Sequence, residues 1–323
     1  MRAMRAETFT GYGGLQLVDL PKPNVANERV LVRVTAAGVT PLDHTILSGG
    51  HPRPKPPLVL GGEGAGIVEE PGASGFPVGA RVMFAGPYGF MEAGAWQEWL
   101  AVRPEDLCLV PDNIDDVTAA GLPVAYLTAA LSLRQAGFRP GMSVLAPAIG
   151  GSVGNAVTQL ATALGAAKAI STSTSAAKVR RARHLGFTDV IDLSVENVVD
   201  GMRRITGAKG ADVVIDSVGG NLTGQMLGTL AMNGAFITLG YSAGRETTIN
   251  VTDLIWKRAR MEGFALAVQS ADAVSAAWAS ILPALGDGRI KPLVARSFAL
   301  KEAPEALRYL IEDRPFGRVV LTL

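Results

Sequence analysis

At 323 residues, 48% of them hydrophobic and 18% charged, with 38 glycines, the chain has a globular composition and length enough for two domains. Thirty basic residues against 29 acidic ones leave a net charge of +1, too small a field to gather nucleic acid or an anionic membrane. Cys108 is the only cysteine, which excludes an intramolecular disulfide and a cysteine-rich zinc lobe. Residues 1–8 carry charges with no apolar run behind them, and no uninterrupted apolar stretch is long enough to span a bilayer. The expectation is a cytoplasmic enzyme.

Residues 1–122 read as short strands and turns without a long helix. Segments 15–20 and 29–35 alternate apolar and polar residues, as half-buried strands do, with a turn over 21–26 between them. Residues 49–57 hold four prolines and no hydrophobic period, so they read as an extended loop. Strands are expected at 59–68, where glycines surround Glu63, and near 80–84, 95–102 and 107–110. A compact, partly open β-barrel is the natural architecture. From 123 onward helix and strand alternate: helix 125–135, strands at 144–146, 167–172, 190–192 and 211–216 each followed by a helix, a fifth strand at 235–239 and a last one near 262–267. That alternation predicts an α/β doubly wound parallel sheet. A helix over 273–286 follows, then a strand near 294–298, a helix at 303–311 and a terminal strand over 317–323. The expected domains are 1–123, 124–267, and a return of 268–323 to the first.

The second half is organised by Val144-Leu-Ala-Pro-Ala-Ile-Gly-Gly-Ser-Val-Gly154. Ala148, Gly151 and Gly154 stand at three-residue intervals between a strand and a segment with apolar residues at i, i+3, i+4 and i+7. Small residues there let a strand turn sharply into a helix while backbone N–H groups approach a pyrophosphate. Ser152 stands where glycine is expected. Contacts with the dinucleotide fall on Ala148, Gly150, Gly151, Ser152 and Val153. In an NAD site an acid at the end of the next strand binds the ribose hydroxyls. Here that position lies in Ser171-Thr-Ser-Thr-Ser175, and no acid follows until Asp189. Hydroxyls donate to a 2′-phosphate that a carboxylate would repel, so the cofactor predicted is NADP(H), held by Thr172, Ser173, Thr174 and Lys178. Leu239, Gly240 and Tyr241, at the end of the fifth parallel strand, and Gly263, Phe264 and Ala265, on the last, are placed by the nicotinamide half. Arg318 is a further candidate for a cofactor phosphate.

With these features in hand, the chain resembles the medium-chain dehydrogenase/reductase superfamily, in its zinc-independent quinone oxidoreductase (zeta-crystallin-like) branch. Ala36-Ala-Gly-Val-Thr-Pro-Leu-Asp43 is similar to the family's A-x-G-V-N-P-x-D, and Leu60-Gly-Gly-Glu-Gly-Ala-Gly66 to its G-x-E-x-A-G. Gly79-Ala-Arg-Val, Asp216-Ser-Val-Gly-Gly220 and Gly317-Arg-Val-Val-Leu resemble three more of its segments, in the same order. The resemblance implies a GroES-like catalytic domain, an inserted Rossmann domain, a cleft between them for nicotinamide and substrate, and a homodimer joined through the Rossmann sheet. Zinc enzymes of the superfamily place Cys where Thr40 stands and His where Gly62 stands. With neither present, no metal is expected, and a Lewis acid is not available to polarise the substrate. The acceptor must then be electrophilic already: a quinone or a carbonyl-conjugated alkene. Donors for the developing oxyanion are sought among Thr40, Thr45, Tyr88, Tyr126 and Tyr241, with Thr40, Tyr88 and Tyr241 put forward as catalytic. Asp43 reads as a cap on the turn after it. Alternatives are an enoyl or alkenal double-bond reductase with no quinone activity, and a non-catalytic NADPH-binding protein of the crystallin kind. No nucleic-acid or membrane partner is expected.

Overall fold

The computed structural model describes residues 1–25 and 28–323; Ala26, the last residue of the expected 21–26 turn, lies outside them. The chain divides into two compact units, Met1–Val124 with Pro292–Leu323, and Ala125–Lys291. Among the described residues no helix is long and apolar enough to cross a membrane.

The first unit opens with β1 (Arg2–Ala6), β2 (Leu15–Asp19), β3 (Val30–Val39), helix α1 (Pro41–Leu47), β4 (Leu58–Val59), β5 (Glu63–Glu70), β6 (Arg81–Ala85), β7 (Trp99–Val102), β8 (Leu107–Leu109) and the short α2 (Asp116–Ala120). Ten-residue β3 is its axis. One end pairs with β7, the middle with β5 and the far end with the last strand of the chain, and register shifts against β5 mark the bulges where it bends. Bending and sharing neighbours in this way curls the sheet into a partly open barrel. Val30, Val32 and Val34 line its interior with Phe84, Trp96 and Tyr88. Strand β5 starts only at Glu63 because Gly61 adopts a left-handed φ of 100° that interrupts the strand expected at 59–68.

The second unit follows with α3 (Pro123–Gln135), β9 (Ser143–Ala146), α4 (Ser152–Ala163), β10 (Lys168–Ser173), α5 (Ala176–His184), β11 (Val190–Asp192), α6 (Val198–Thr206), β12 (Ala211–Asp216), α7 (Asn221–Leu227), β13 (Leu230–Thr238), α8 (Val251–Lys257), β14 (Arg260–Gly263) and α9 (Ala271–Gly286). Its six parallel strands lie in the order β11-β10-β9-β12-β13-β14, the doubly wound arrangement in which the order of the strands reverses between β9 and β12. Apolar residues fill both faces: Leu145, Ile170, Ile191, Val214 and Phe236 on one, Val144, Val213, Ile215 and Ile237 on the other. Strand β13 begins five residues earlier than its hydrophobic run, with Met232-Asn-Gly234 looped out of register and Asn233 at φ 60°. The last strand is shorter and earlier than expected, and residues 266–268 form a 3-10 turn.

The boundary expected at 267 is displaced to 291. Helix α9 buries Trp278, Ile281, Ala284 and Leu285 and packs on α4, and the Gln159 side chain bonds both backbone groups of Lys291 (3.0 and 2.7 Å). Only then does the chain re-enter the first unit, as β15 (Val294–Ala299), α10 (Ala303–Arg308) and β16 (Arg318–Thr322). These strands complete the larger sheet there, in the order β15-β16-β3-β5-β6-β8.

Candidate functional site

The turn after β9 is stitched to its neighbour. Ile149 N–H donates to the Thr172 carbonyl (2.9 Å) and Ala148 N–H to Thr172 Oγ1 (3.3 Å). Ala148 is held at φ 64°, a left-handed conformation that costs an L residue about 1–2 kcal/mol and persists only where its surroundings dictate it. A side chain on Gly154 would sit 2.0 Å from the Pro147 carbonyl oxygen, so this glycine is what lets α4 lie against the end of β9. No side chain caps α4, whose N-cap is Gly151. The N–H groups of its first turn are therefore left for an anion, with the positive end of the helix dipole behind them. Ser152 is the first helical residue and has an ordinary backbone, so nothing there demands glycine.

At the end of β10 the hydroxyls divide into two groups. Ser171 and Thr172 are buried and serve the fold, Ser171 Oγ donating to the Ala146 carbonyl (2.5 Å). Ser173 Oγ accepts from Ser175 N–H (3.2 Å), Ser175 caps α5, and Thr174 is exposed beside them with Lys178 one turn on. The sequence reading missed one acid. Asp192, at the end of β11, pairs in register with Ser173. Its carboxyl is held below the ordinary range by the Ser194 hydroxyl and amide, with Arg183 and Arg180 assisting.

Buried Asp216 ends β12 and shapes the loop beyond it, accepting from Val218 N–H (2.9 Å), Gly219 N–H (3.0 Å) and the Thr223 hydroxyl. Gly219 and Gly220, both left-handed, zip onto the loop after β13 through Gly220 N–H to the Gly244 carbonyl (3.0 Å). A Cβ on Gly240 would collide with the Ser217 carbonyl oxygen at 2.1 Å. Leu239 N–H bonds the Asp216 carbonyl and Phe264 N–H the Thr238 carbonyl, each at 2.9 Å. The ends of β9, β10, β12, β13 and β14 thus present one row of loops at the carboxyl edge of a parallel sheet, where ligands of such sheets bind. Leu239, Gly240, Tyr241, Gly263, Phe264 and Ala265 all lie on that row, and Tyr241 is 45% exposed with Arg245 over its ring. The cradle fits a dinucleotide on three counts: the uncapped helix, the excluded Cβ at Gly154 and the left-handed turn.

Three residues put forward from the sequence take other roles. Thr40 caps α1. Its Oγ1 donates to Asp43 Oδ2 (2.7 Å), and its N–H reaches the same oxygen (2.8 Å), a reciprocal cap that uses up the hydroxyl hydrogen. Tyr88 is 1% exposed; its hydroxyl donates to Asp106 Oδ2 (2.7 Å) and accepts from Arg103 N–H (2.9 Å), while burial and the Asp106 charge raise its pKa far above the ordinary phenol. It is a core tyrosine because the loop around it folds inward over Gly61 and Gly62. Arg318 does not reach outward to a phosphate. It forms a buried ion pair with Glu63, whose Oε2 also accepts from Val124 N–H (2.7 Å), and burial brings the guanidinium down to about 10. Asp43 completes this buried group, accepting from Gly61 N–H (3.0 Å), its own pKa raised by burial. Of the other two donor candidates, Thr45 gives its hydroxyl to the Pro41 carbonyl (3.0 Å), and Tyr126 is buried in the second unit.

The models of known families agree with both units. Residues 26–112 match the alcohol dehydrogenase GroES-like domain and 152–282 the zinc-binding dehydrogenase domain. The chain belongs to the medium-chain dehydrogenase/reductase family and is an NAD(P)-dependent oxidoreductase of that class. Within the family it falls with the quinone oxidoreductases: it is 34% identical to the quinone oxidoreductase of Pseudomonas aeruginosa over 97% of this chain and 98% of that one. It is also 32% identical to the 2-haloacrylate reductase of a Burkholderia species, over 91% of this chain and 90% of the relative. The crystal structure of Escherichia coli quinone oxidoreductase complexed with NADPH superposes with a TM-score of 0.89 at 28% identity, covering all of both chains.

Proposed function

We propose that this protein is an NADPH-dependent reductase that transfers hydride to quinones or carbonyl-conjugated alkenes without a metal. The observation that carries this reading is the uncapped N-terminus of α4 beneath the left-handed Ala148 turn, a pyrophosphate cradle at the reversal point of the sheet. Ala148, Gly150, Gly151, Ser152 and Val153 hold the pyrophosphate; Ser173, Thr174 and Lys178 hold the 2′-phosphate. Leu239, Gly240, Tyr241, Gly263, Phe264 and Ala265 flank the nicotinamide end. When bound, the dihydronicotinamide supplies hydride, and the chain supplies orientation and a water-poor surrounding. Metal-free chemistry is supported by the donor set: Thr40 is committed to Asp43, and Gly62 has no side chain. NADPH support also comes from the absence of an acid at the end of β10 and from the NADPH carried by the Escherichia coli structure. The two named relatives act on a quinone and on a 2-haloacrylate, both electron-poor acceptors.

The test is NADPH and NADH oxidation measured against a quinone panel and an enone panel. Turnover with NADPH on either panel is expected. Quinone activity separates the broader reading from a double-bond reductase without it, and tight NADPH binding with no turnover on any acceptor identifies the non-catalytic alternative. A homodimer through the sheet edge is part of the same proposal, supported by exposed Ile255, Trp256 and Val268 (66, 73 and 77%) near the outermost strand β14. Light scattering of Trp256→Glu/Val268→Asp, expected to run as a monomer beside a dimeric wild type, checks it.

A further inference from the structure

Gln97 is a buried polar side chain of the first unit whose hydrogen bonding is left half complete. The stretch that bears it is held against β1 by Met4 N–H to the Trp96 carbonyl (2.8 Å) and Glu98 N–H to the Arg2 carbonyl (3.1 Å). Trp96 enters the barrel core, where its indole N–H reaches the Gly38 carbonyl (3.1 Å). Gln97 beside it is only 3% exposed. Its Nε2 donates to the Gly94 carbonyl (2.9 Å), and because a carbonyl can only accept, that bond fixes which end of the amide is nitrogen. Oε1 has no partner among the described residues. The sealed side-chain atoms that lack a partner there are Tyr126 Oη and Arg318 Nε, and Gln97 Oε1 is not among them. It is therefore reached from the cavity that Gln97 lines.

That cavity has a volume of about 430 Å³, inside the ~300–1,000 Å³ range of small-molecule sites. Leu20, Pro21 and Pro23, from the segment after β2, face it together with Leu100 and Ala101 of β7. Prolines carry no N–H, so this wall is poor in groups that could donate to an acceptor. The charged groups of the wall are engaged with protein. Arg29 pairs with Glu92 (2.8 Å) and donates to the Ala101 carbonyl (2.9 Å), and the Met1 ammonium donates to the Leu20 carbonyl (2.7 Å). A buried acceptor left unpaired keeps its desolvation penalty. A single water would find Oε1 among apolar walls, short of the two to four partners that buried waters usually have. An apolar body carrying one donor meets both requirements of the cavity.

We propose that this cavity is a binding site for a small, neutral, apolar molecule that gives one hydroxyl or N–H hydrogen to Gln97 Oε1. Its apolar walls hold the body of the ligand, and the amide oxygen sets its orientation. Neutrality follows from the Arg29–Glu92 pairing, which leaves an ion no net attraction. All of these residues belong to the first unit, so the site is formed without the nucleotide loops of the second and is independent of the reductase reading.

Phenol is the probe, and anisole, the same ring without a donor hydrogen, is its control. Titration calorimetry on the wild type is expected to give a Kd on the order of 1 mM for phenol and one about tenfold weaker for anisole. In Gln97→Leu the two should bind equally, because the acceptor is gone while the apolar walls remain. Ala101→Phe, which fills the cavity, should abolish binding of both and leave the Kd for NADPH unchanged. A wild-type crystal soaked in phenol should show its hydroxyl about 2.7–2.8 Å from Gln97 Oε1. Equal binding of phenol and anisole by the wild type overturns the assignment, as does phenol binding that survives Gln97→Leu or Ala101→Phe undiminished. Phenol seen only outside the cavity, or only ordered water on Oε1 with no measurable Kd in solution, overturns it equally.

Discussion

Glu63 and Arg318 lie 255 residues apart in sequence and meet in the core of the first unit, one side chain fully buried and the other nearly so. Glycine at position 38 makes room, since a Cβ there would be 2.5 Å from the Glu63 carboxylate. A buried pair is a weak source of net stability, yet removing one member strands the other charge. Glu63→Gln is accordingly expected to destabilise the protein by about 3–5 kcal/mol in urea unfolding, and Glu63→Leu/Arg318→Met by much less. Cys108 supplies a pH prediction. Burial raises its thiol from 9.0 to about 12. A group whose folded pKa is raised contributes stability that is complete below the unfolded value and lost as pH climbs toward the folded one. Wild type should therefore lose stability relative to Cys108→Ala between pH 9.0 and about 12, and its thiol should resist thiol reagents at neutral pH until the protein is unfolded. Neither the ion pair nor the inert thiol was legible in the sequence, where Arg318 read as a phosphate ligand. Burial and partner are set by residues far away in the chain.

Among the elements, β9 and α4 were readable in advance because everything they need is local: a β-run, small residues at fixed spacing and an apolar stripe at helical period. Helix α8 was not. Its Val251, Ile255 and Trp256 are exposed, so its pattern answers to a surface and not to the core. The Ser/Thr run after β10 was located correctly as a segment, but which hydroxyls point outward depends on the pleat and on the β9 partner that Ser171 bonds. Asp192 escaped notice because it reaches Ser173 across the sheet, along a neighbouring strand. Thr174, exposed at that end, should be the lever on cofactor choice. For Thr174→Asp, the ratio of kcat/KM with NADPH to that with NADH is expected to fall at least about tenfold, since a carboxylate repels a 2′-phosphate and serves ribose hydroxyls. An unchanged ratio would place the phosphate elsewhere.

For the whole molecule, connectivity dictates what each piece can do alone. Residues 125–291 are contiguous and contain all six strands of the parallel sheet with their covering helices. Expressed as a fragment, they are expected to unfold cooperatively and to bind NADPH. Residues 1–124 lack β15 and β16, the strands that pair along β3, and are expected to remain unfolded until 292–323 are supplied. Circular dichroism melts of the two fragments, with and without the C-terminal segment, distinguish these outcomes. The sequence by itself determined two domains of the right classes, the strand–turn–helix of the glycine motif, the succession of most strands and helices along the chain and the family, because those rest on local periodicity, turn chemistry and motif order. Tertiary structure alone decided that 268–291 stays with the nucleotide unit and that Thr40, Tyr88 and Arg318 are held by Asp43, Asp106 and Glu63. A side chain's chemistry is written in its identity, but its availability depends on which distant groups have already taken its hydrogen bonds.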